Sequence, residues 1–163
     1  MKPRRVVITG LGALTPIGNT LPEYWGGLLS GVSGAGPITH FDASKFKTQF
    51  ACELKNFDPL NFMDRKEARK YDRFAQYAIV SAEEAIIDSG LVFEKEDCDR
   101  IGVIWGAGIG GLETFQNEVL DFASGNGTPR FNPFFIPKMI ADIAPGLICL
   151  LYTSPSPRDG TKS

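Results

Sequence analysis

The apolar positions of the chain fall into blocks with two different periodicities. Residues 4–9 and residues 100–105 are short apolar runs rich in β-branched side chains, and each precedes a glycine-rich turn. Such runs predict buried strands. Helical periodicity follows both turns, over residues 21–29 and 112–123. The order strand, turn, helix therefore occurs twice, and it predicts an α/β fold.

The first predicted helix has clear start and stop signals. Thr20 is an N-cap candidate and Glu23 follows three residues later, which is the pattern of a capping box, while Gly31 supplies a stop. We expect one apolar face of this helix to pack on a sheet. The residues of that face are Leu21, Trp25, Leu28 and Leu29.

The longest predicted helix begins after the N-cap candidate Asp64 and runs unbroken to Ser89, about seven turns. Its expected buried face is rich in alanine. The residues of that face are Tyr71, Phe74, Ala75, Ala78, Ile79, Ala82, Ala85 and Ile86. Residues 31–62 are predicted to be loop, with a short strand within residues 49–54, and residues 138–148 are predicted to be helical.

Composition narrows the class of protein. The 163 residues carry 17 Lys+Arg and 19 Asp+Glu, a net charge of −2, and 43% of them are hydrophobic. This balance is typical of a globular domain and disfavours a nucleic-acid-coating protein. No apolar run approaches the roughly 20 residues of a membrane span, and the run after the basic N-terminus is too short for a signal peptide. We therefore expect a cytoplasmic protein with no membrane or nucleic-acid partner.

The residue types and turns that commonly bind metals or nucleotides do not form a recognisable binding motif in this sequence. Cys52, Cys98 and Cys149 are widely spaced and His40 is the single histidine, so we expect free structural thiols and no metal site. The turn at residues 10–15 lacks the third glycine of a dinucleotide fingerprint. The turn at residues 106–111 lacks the Lys-Ser/Thr of a phosphate loop, so it predicts close packing against backbone or an apolar ligand. No cofactor is predicted.

A cluster of five cations lies at the start of the longest predicted helix. Its members are Arg65, Lys66, Arg69, Lys70 and Arg73. One interpretation is a solvated helix face with ion pairs along the helix. The other is an electrostatic docking site for an acidic partner, which the unfavourable placement of cations at a helix start supports.

Several segments together resemble a known family in order and spacing. They are residues 4–19, His40-Phe41-Asp42, residues 65–70, residues 106–112 and residues 133–137. Over about residues 2–147 the chain resembles the N-terminal part of the β-ketoacyl-acyl carrier protein synthase II family. The resemblance implies an incomplete N-terminal part of a thiolase-like αβαβα fold. It further implies a homodimer that condenses malonyl-acyl carrier protein with an acyl thioester, with loss of carbon dioxide.

The resemblance also implies roles for particular residues. Ile109 matches a position that gates the acyl pocket, while Phe135 and Ile136 match positions that close its far end across the dimer interface. Four basic residues match positions that meet the acidic helix of acyl carrier protein; they are Lys66, Arg69, Lys70 and Arg130. The family often has a second basic residue after Arg130, where this chain has Phe131.

The catalytic residues of the family are not matched. Its cysteine nucleophile follows an alanine in a later strand, and its two histidines and lysine come later still, whereas Cys149 follows Leu147-Ile148. We assign no catalytic residue and expect the chain alone to be inactive. Residues 1–150 are expected to form a truncated synthase domain, and residues 151–163 a disordered Ser/Pro-rich tail. A polyketide ketosynthase and a non-catalytic interaction module remain as alternatives.

Overall fold

The computed structural model describes residues 3–152, which form two compact units. One unit comprises residues 3–58 and 81–91, and the other comprises residues 59–80 and 92–152. The elements are α1 (Leu21–Leu29), β1 (Gly36–Pro37), β2 (Phe50–Ala51), α2 (Arg65–Lys70), α3 (Arg73–Ser89), α4 (Leu112–Ser124), α5 (Phe135–Met139) and α6 (Ile143–Tyr152). Single 3-10 turns occur at Pro59–Asn61, Phe93–Lys95 and Cys98–Arg100. Within residues 3–152, none of the helices is both long and apolar enough to cross a membrane.

The predicted limits of α1 are confirmed, but its predicted packing face is wrong. The Thr20 hydroxyl accepts a hydrogen bond from the Glu23 N–H at 3.4 Å, and the Glu23 carboxylate accepts one from the Asn19 N–H at 2.8 Å. Gly31 ends the helix with a φ of 66°. Trp25 is exposed, because the backbone of the preceding turn packs against α1 at Gly27, where a Cβ would lie 3.0 Å from the Ile17 carbonyl oxygen.

The first unit is organised by main-chain contact between residues 10–13 and the C-terminal half of α3. A Cβ on Gly10 would overlap the Ala85 carbonyl oxygen, and one on Gly12 would overlap the Ser81 carbonyl oxygen. Only glycine permits so close an approach.

Carboxylates of α3 fix the same segment. Glu84 accepts hydrogen bonds from the N–H groups of Ala13 and Leu21, both at 2.7 Å, and Asp88 accepts one from the Leu11 N–H at 2.9 Å. The chain from the N-terminal segment to the start of α1 is therefore anchored on α3.

The predicted strands at residues 4–9 and 100–105 are not formed. Both segments lack strand pairing, and Val6 and Ile104 are 89% and 99% exposed. An extended segment becomes a strand only when its backbone groups pair with a neighbour, and within residues 3–152 these two segments have none. The strand predicted within residues 49–54 does pair, since β2 and β1 are antiparallel neighbours.

The long helix predicted from Asp64 to Ser89 is broken into α2 and α3. Tyr71 has extended backbone, so α2 ends at Lys70. The side-chain amide of Gln76, which is buried, donates to the carbonyl oxygens of Ala68 at 2.9 Å and Tyr71 at 3.2 Å. It thereby satisfies carbonyls that the end of α2 leaves without helical partners. The predicted alanine-rich face of α3 is otherwise confirmed, with Ala75, Ala78 and Ile79 buried.

The last predicted helix is also divided. Residues 138–148 contain the end of α5 and most of α6, separated at Ile140–Asp142. Pro145 is tolerated because it lies in the first turn of α6, where a missing N–H breaks no helical hydrogen bond. Helix α6 continues through Tyr152, two residues past the expected domain limit at 150, and residues 153–163 of the expected tail lie outside the described residues.

We predict that Glu84→Ala lowers the free energy of unfolding of the first unit by about 2 kcal/mol or more. The reason is that two backbone N–H groups lose a charged acceptor. The measurement is a urea titration followed by Trp25 fluorescence in a Trp105→Phe background. Glu83→Ala, at the next position of α3, is the matched control. Equal shifts for both variants would contradict the anchoring role of Glu84.

Candidate functional site

The short helix α2 presents the predicted basic cluster. Asp64 is its N-cap, and its carboxylate accepts hydrogen bonds from the N–H groups of Lys66 at 2.7 Å and Glu67 at 2.9 Å. These bonds lower the pKa of Asp64, chiefly through the Glu67 N–H, while limited desolvation opposes the shift. The predicted start of this helix is therefore confirmed.

The charges of the cluster differ in their partners. The Lys70 ammonium lies 3.6 Å from the Glu67 carboxylate, and that carboxylate also accepts a 3.4 Å hydrogen bond from the Tyr71 hydroxyl. Lys66 and Arg69 are exposed and make no ion pair within residues 3–152. The interpretation as a face neutralised by ion pairs along the helix thus holds for Lys70 and fails for the other two.

The break at Tyr71 corrects the argument from the helix dipole. Arg69 and Lys70 lie in the last turn of α2, where a helix dipole favours cations. Only the cations of the first turn oppose the dipole. Of Lys66 and Arg69, only Lys66 lies in the first turn, so exposure and the lack of an ion pair among the described residues are what the two share.

The glycine-rich turn rests on the C-terminal end of α5. The Gly111 N–H donates to the Met139 carbonyl oxygen at 3.0 Å, and a Cβ on Gly110 or Gly111 would overlap the carbonyl oxygens of Met139 or Lys138. Gly110 has a φ of 85°, which favours glycine. The close backbone packing predicted for this turn is confirmed, and it holds Ile109, which is 70% exposed, beside α5.

Stacked aromatic rings connect α5 with α4. The ring centroids of Phe115 and Phe135 are 6.2 Å apart, those of Phe131 and Phe135 are 5.8 Å apart, and those of Phe122 and Phe131 are 5.6 Å apart. Phe135 is half-buried by this stacking, whereas Ile136 is 54% exposed.

The segment that carries Arg130 is tied to α4 by the same ring stacking and by one hydrogen bond, from the Asn132 N–H to the Glu118 carboxylate at 3.1 Å. Arg130 itself is exposed and makes no ion pair among the described residues. The three residues assigned to the pocket and the four assigned to carrier-protein contact therefore all belong to the second unit.

Sequence reasoning missed the residues that hold these segments in place. The Asp72 carboxylate accepts hydrogen bonds from the Thr114 hydroxyl and from the Phe74 N–H at 3.4 Å, and it lies beside Gly111. An aspartate ahead of a helix is a capping signal, but the surrounding run of helix formers concealed it. Nothing in the sequence indicates the pairing with Thr114, 42 residues away.

The remaining motifs lie in the first unit. His40 Nε2 is 3.9 Å from the Glu53 carboxylate, which also accepts hydrogen bonds from Thr39. A cavity of about 270 Å³ in this unit is lined by Thr15, Pro16, Ile17, Gly18, Asn19, Glu23, Val32, Lys55 and Asn56. Within residues 3–152 no group of His, Cys, Asp and Glu is arranged to hold a metal ion.

A family model for the β-ketoacyl synthase N-terminal domain matches residues 3–156 of the chain. The chain belongs to the β-ketoacyl synthase family. This match confirms the assignment made from the ordered motifs.

Individual relatives of this β-ketoacyl synthase chain agree. The 3-oxoacyl-(acyl-carrier-protein) synthase 2 of Synechocystis sp. is 46% identical over 99% of the chain, which spans 38% of that relative's length. The structure of the ishigamide ketosynthase/chain length factor matches 93% of this chain, and the match covers 38% of the solved chain, at 29% identity and a TM-score of 0.74. A solved complex of a type II polyketide synthase acyl carrier protein with its ketosynthase contains a chain that matches 90% of this chain. The match covers 38% of the solved chain, at 26% identity and a TM-score of 0.72.

These structures confirm the expected fold class, the N-terminal part of a thiolase-like α/β fold.

We predict that the cap of α2 is lost only in acid. Because the pKa of Asp64 is lowered in the folded chain, its contribution to the helix is fully present above the unfolded value of about 3.9. It is lost as the pH falls through the lower, folded value. The amide proton shifts of Lys66 and Glu67 in NMR spectra should titrate together with a midpoint below about 3.9.

The control for this titration is Asp64→Asn, which keeps a capping side chain but should abolish the shift change. A midpoint at or above the unfolded value would contradict the cap.

Proposed function

We propose that the chain is the N-terminal part of a β-ketoacyl-acyl carrier protein synthase. Such an enzyme joins the malonyl unit of malonyl-acyl carrier protein to an acyl thioester and releases carbon dioxide. Support comes from the family match, from the 46% identity to a 3-oxoacyl-(acyl-carrier-protein) synthase 2, and from the residues that the second unit brings together. The chain is proposed to contribute carrier-protein docking and part of the acyl pocket.

The observation that carries this proposal is the exposure of α2. Lys66 and Arg69 are exposed and form no ion pair among the described residues, on a helix whose two ends are held by the Asp64 cap and the Gln76 amide. Exposed cations of this kind act through long-range attraction and so favour an acidic partner. A related ketosynthase has been solved in complex with its acyl carrier protein, which makes a carrier protein the proposed partner.

The acyl pocket is proposed to involve Ile109 and α5. Ile109 is an aliphatic side chain that is 70% exposed, so it is available to an apolar ligand. The hydrogen bond from the Gly111 N–H to the Met139 carbonyl oxygen keeps the turn that carries Ile109 beside α5, which carries Phe135 and Ile136. Malonyl and acyl thioesters are the proposed substrates, and a cytoplasmic homodimer the proposed assembly.

A polyketide ketosynthase is the second candidate. The solved relatives at 26% and 29% identity include a type II polyketide ketosynthase and a ketosynthase/chain length factor pair. The higher identity of 46% is to a 3-oxoacyl-(acyl-carrier-protein) synthase 2, which favours the first candidate.

Reversing the charge of the basic cluster is expected to raise the apparent KM for acyl carrier protein substrates at least tenfold, because lost electrostatic steering slows association. The variant replaces three of the five cluster residues, Lys66, Arg69 and Lys70, with Glu. The enzyme is residues 3–147 joined to the C-terminal remainder of the Synechocystis relative. The KM for small acyl thioesters should change less than about twofold, since they have no acidic surface.

The matched control replaces three exposed lysines elsewhere, Lys45, Lys47 and Lys95, with Glu. It changes the net charge equally and should leave both KM values near those of the parent. An equal increase for carrier-protein and small substrates, or no increase for either, would refute the docking assignment.

We also expect the 163-residue chain to transfer no radiolabelled malonyl unit above a no-enzyme control. Cys149 is half-buried within α6 and lacks the preceding alanine of the family's nucleophile motif. Cys149→Ala should therefore change nothing. Turnover that disappears in this variant would show that Cys149 is a nucleophile.

A further inference from the structure

The break between α2 and α3 brings one carboxylate against two other segments of the second unit. Asp72 follows the basic helix by two residues. Its Oδ2 accepts the hydrogen bond from Thr114 in the first turn of α4, and a Cβ on Gly111 would lie 3.0 Å from this same atom. Its Oδ1 accepts a 3.4 Å hydrogen bond from the Phe74 N–H at the start of α3.

These contacts leave Asp72 little freedom. The Asp72 carbonyl oxygen accepts hydrogen bonds from the N–H groups of Ala75 at 3.1 Å and Gln76 at 3.0 Å, so its backbone belongs to the first turn of α3. Gln76 in turn holds the end of α2 through Ala68 and Tyr71. The side chain of Asp72 and the end of α2 are thus fixed by a single hydrogen-bonded junction.

The other side of the junction leads to Ile109. Gly111 is buried, has Asp72 Oδ2 where a Cβ would meet it at 3.0 Å, and donates its N–H to the Met139 carbonyl oxygen. Ile109 lies two residues before it. A shift of Gly111 must therefore move Ile109. The Asp72–Thr114 hydrogen bond, which joins a charged acceptor to a hydroxyl donor, is of the stronger class and opposes such a shift.

We propose that Asp72 is a positioning residue that keeps the glycine-rich turn of Ile109 in register with the basic helix α2. One carboxylate then sets the relation between the helix assigned to carrier-protein docking and the side chain assigned to the acyl pocket. This inference rests on the proposed function for its consequence, but its structural part does not. The role is distinct from catalysis, because Asp72 acts through Thr114 and Gly111.

Amide hydrogen exchange of the full 163-residue chain tests the structural part. In Asp72→Ala, peptides covering residues 106–112 should exchange about tenfold faster, as expected for loss of a hydrogen bond to a charged group. Peptides covering residues 11–21 should be unchanged. Asp72→Asn retains an acceptor oxygen and should restore most of the protection.

Two further variants keep the test decisive. Thr114→Val removes only the hydroxyl partner, so it should reproduce the local effect if Asp72→Ala does not fold. Asp121→Ala, which removes an exposed carboxylate further along α4, should have no effect. Unchanged exchange at residues 106–112 in both Asp72→Ala and Thr114→Val would overturn the proposal, as would an acceleration spread over every peptide.

The functional consequence is tested by binding of holo- and acyl-loaded acyl carrier protein to the same chain. Asp72→Ala should leave the Kd for the holo form within about twofold and weaken the acyl form about tenfold, because α2 is intact and the Ile109 turn is loosened. An equal rise of the Kd for the holo and the acyl-loaded forms would overturn the proposed role of Asp72. If the wild-type chain binds neither form, the proposed function fails and the exchange result still decides the role of Asp72.

Discussion

The independent position of the basic helix depends on the buried side-chain amide of Gln76. Two carbonyl oxygens at the end of α2, those of Ala68 and Tyr71, receive its hydrogen bonds. Without a donor there, these partly buried carbonyls would depend on water for their hydrogen bonds. Because the amide fills this need, the chain leaves the helix at Tyr71 and presents α2 separately from α3. The exposure of Lys66 and Arg69 and the placement of Asp72 follow from that break.

Both units use the same arrangement of glycine and carboxylate. In the first unit, Gly10 and Gly12 allow the main chain of residues 10–13 to lie directly on α3. Glu84 accepts hydrogen bonds from the N–H groups of Ala13 and Leu21, on either side of the turn. In the second unit, Gly111 lies directly on the end of α5, and beside it Asp72 accepts a hydrogen bond from the Thr114 hydroxyl of α4. Glycine provides the close approach and the carboxylate fixes the register, so each turn is positioned without a large apolar core.

The sequence predicted those features that depend on neighbouring residues. The Thr20 and Asp64 caps, the stop at Gly31 and the alanine-rich face of α3 all follow from local spacing, and the structure confirms them. The ordered motifs likewise predicted the family.

Features that depend on distant residues were not predictable. The spacing of residues 65–89 does not reveal the break at Tyr71, because the break is stabilised in part by a distant residue: Asp72 pairs with Thr114, 42 residues away. The strands predicted at residues 4–9 and 100–105 failed because strand formation requires a partner that a single segment does not reveal. The predicted packing face of α1 was wrong for a related reason: the turn at Ile17, and not a sheet, packs against the helix, and it does so at Gly27 and leaves Trp25 exposed.

The most direct test of the account is the salt dependence of acyl carrier protein binding to the 163-residue chain. The Debye length falls from about 10 Å at 0.1 M salt to about 3 Å at 1 M. If the exposed cations of α2 dock the carrier protein, the Kd should rise at least tenfold over this range, and replacing Lys66 and Arg69 with Glu should remove most of that dependence. Binding that is tight and independent of salt would contradict the account.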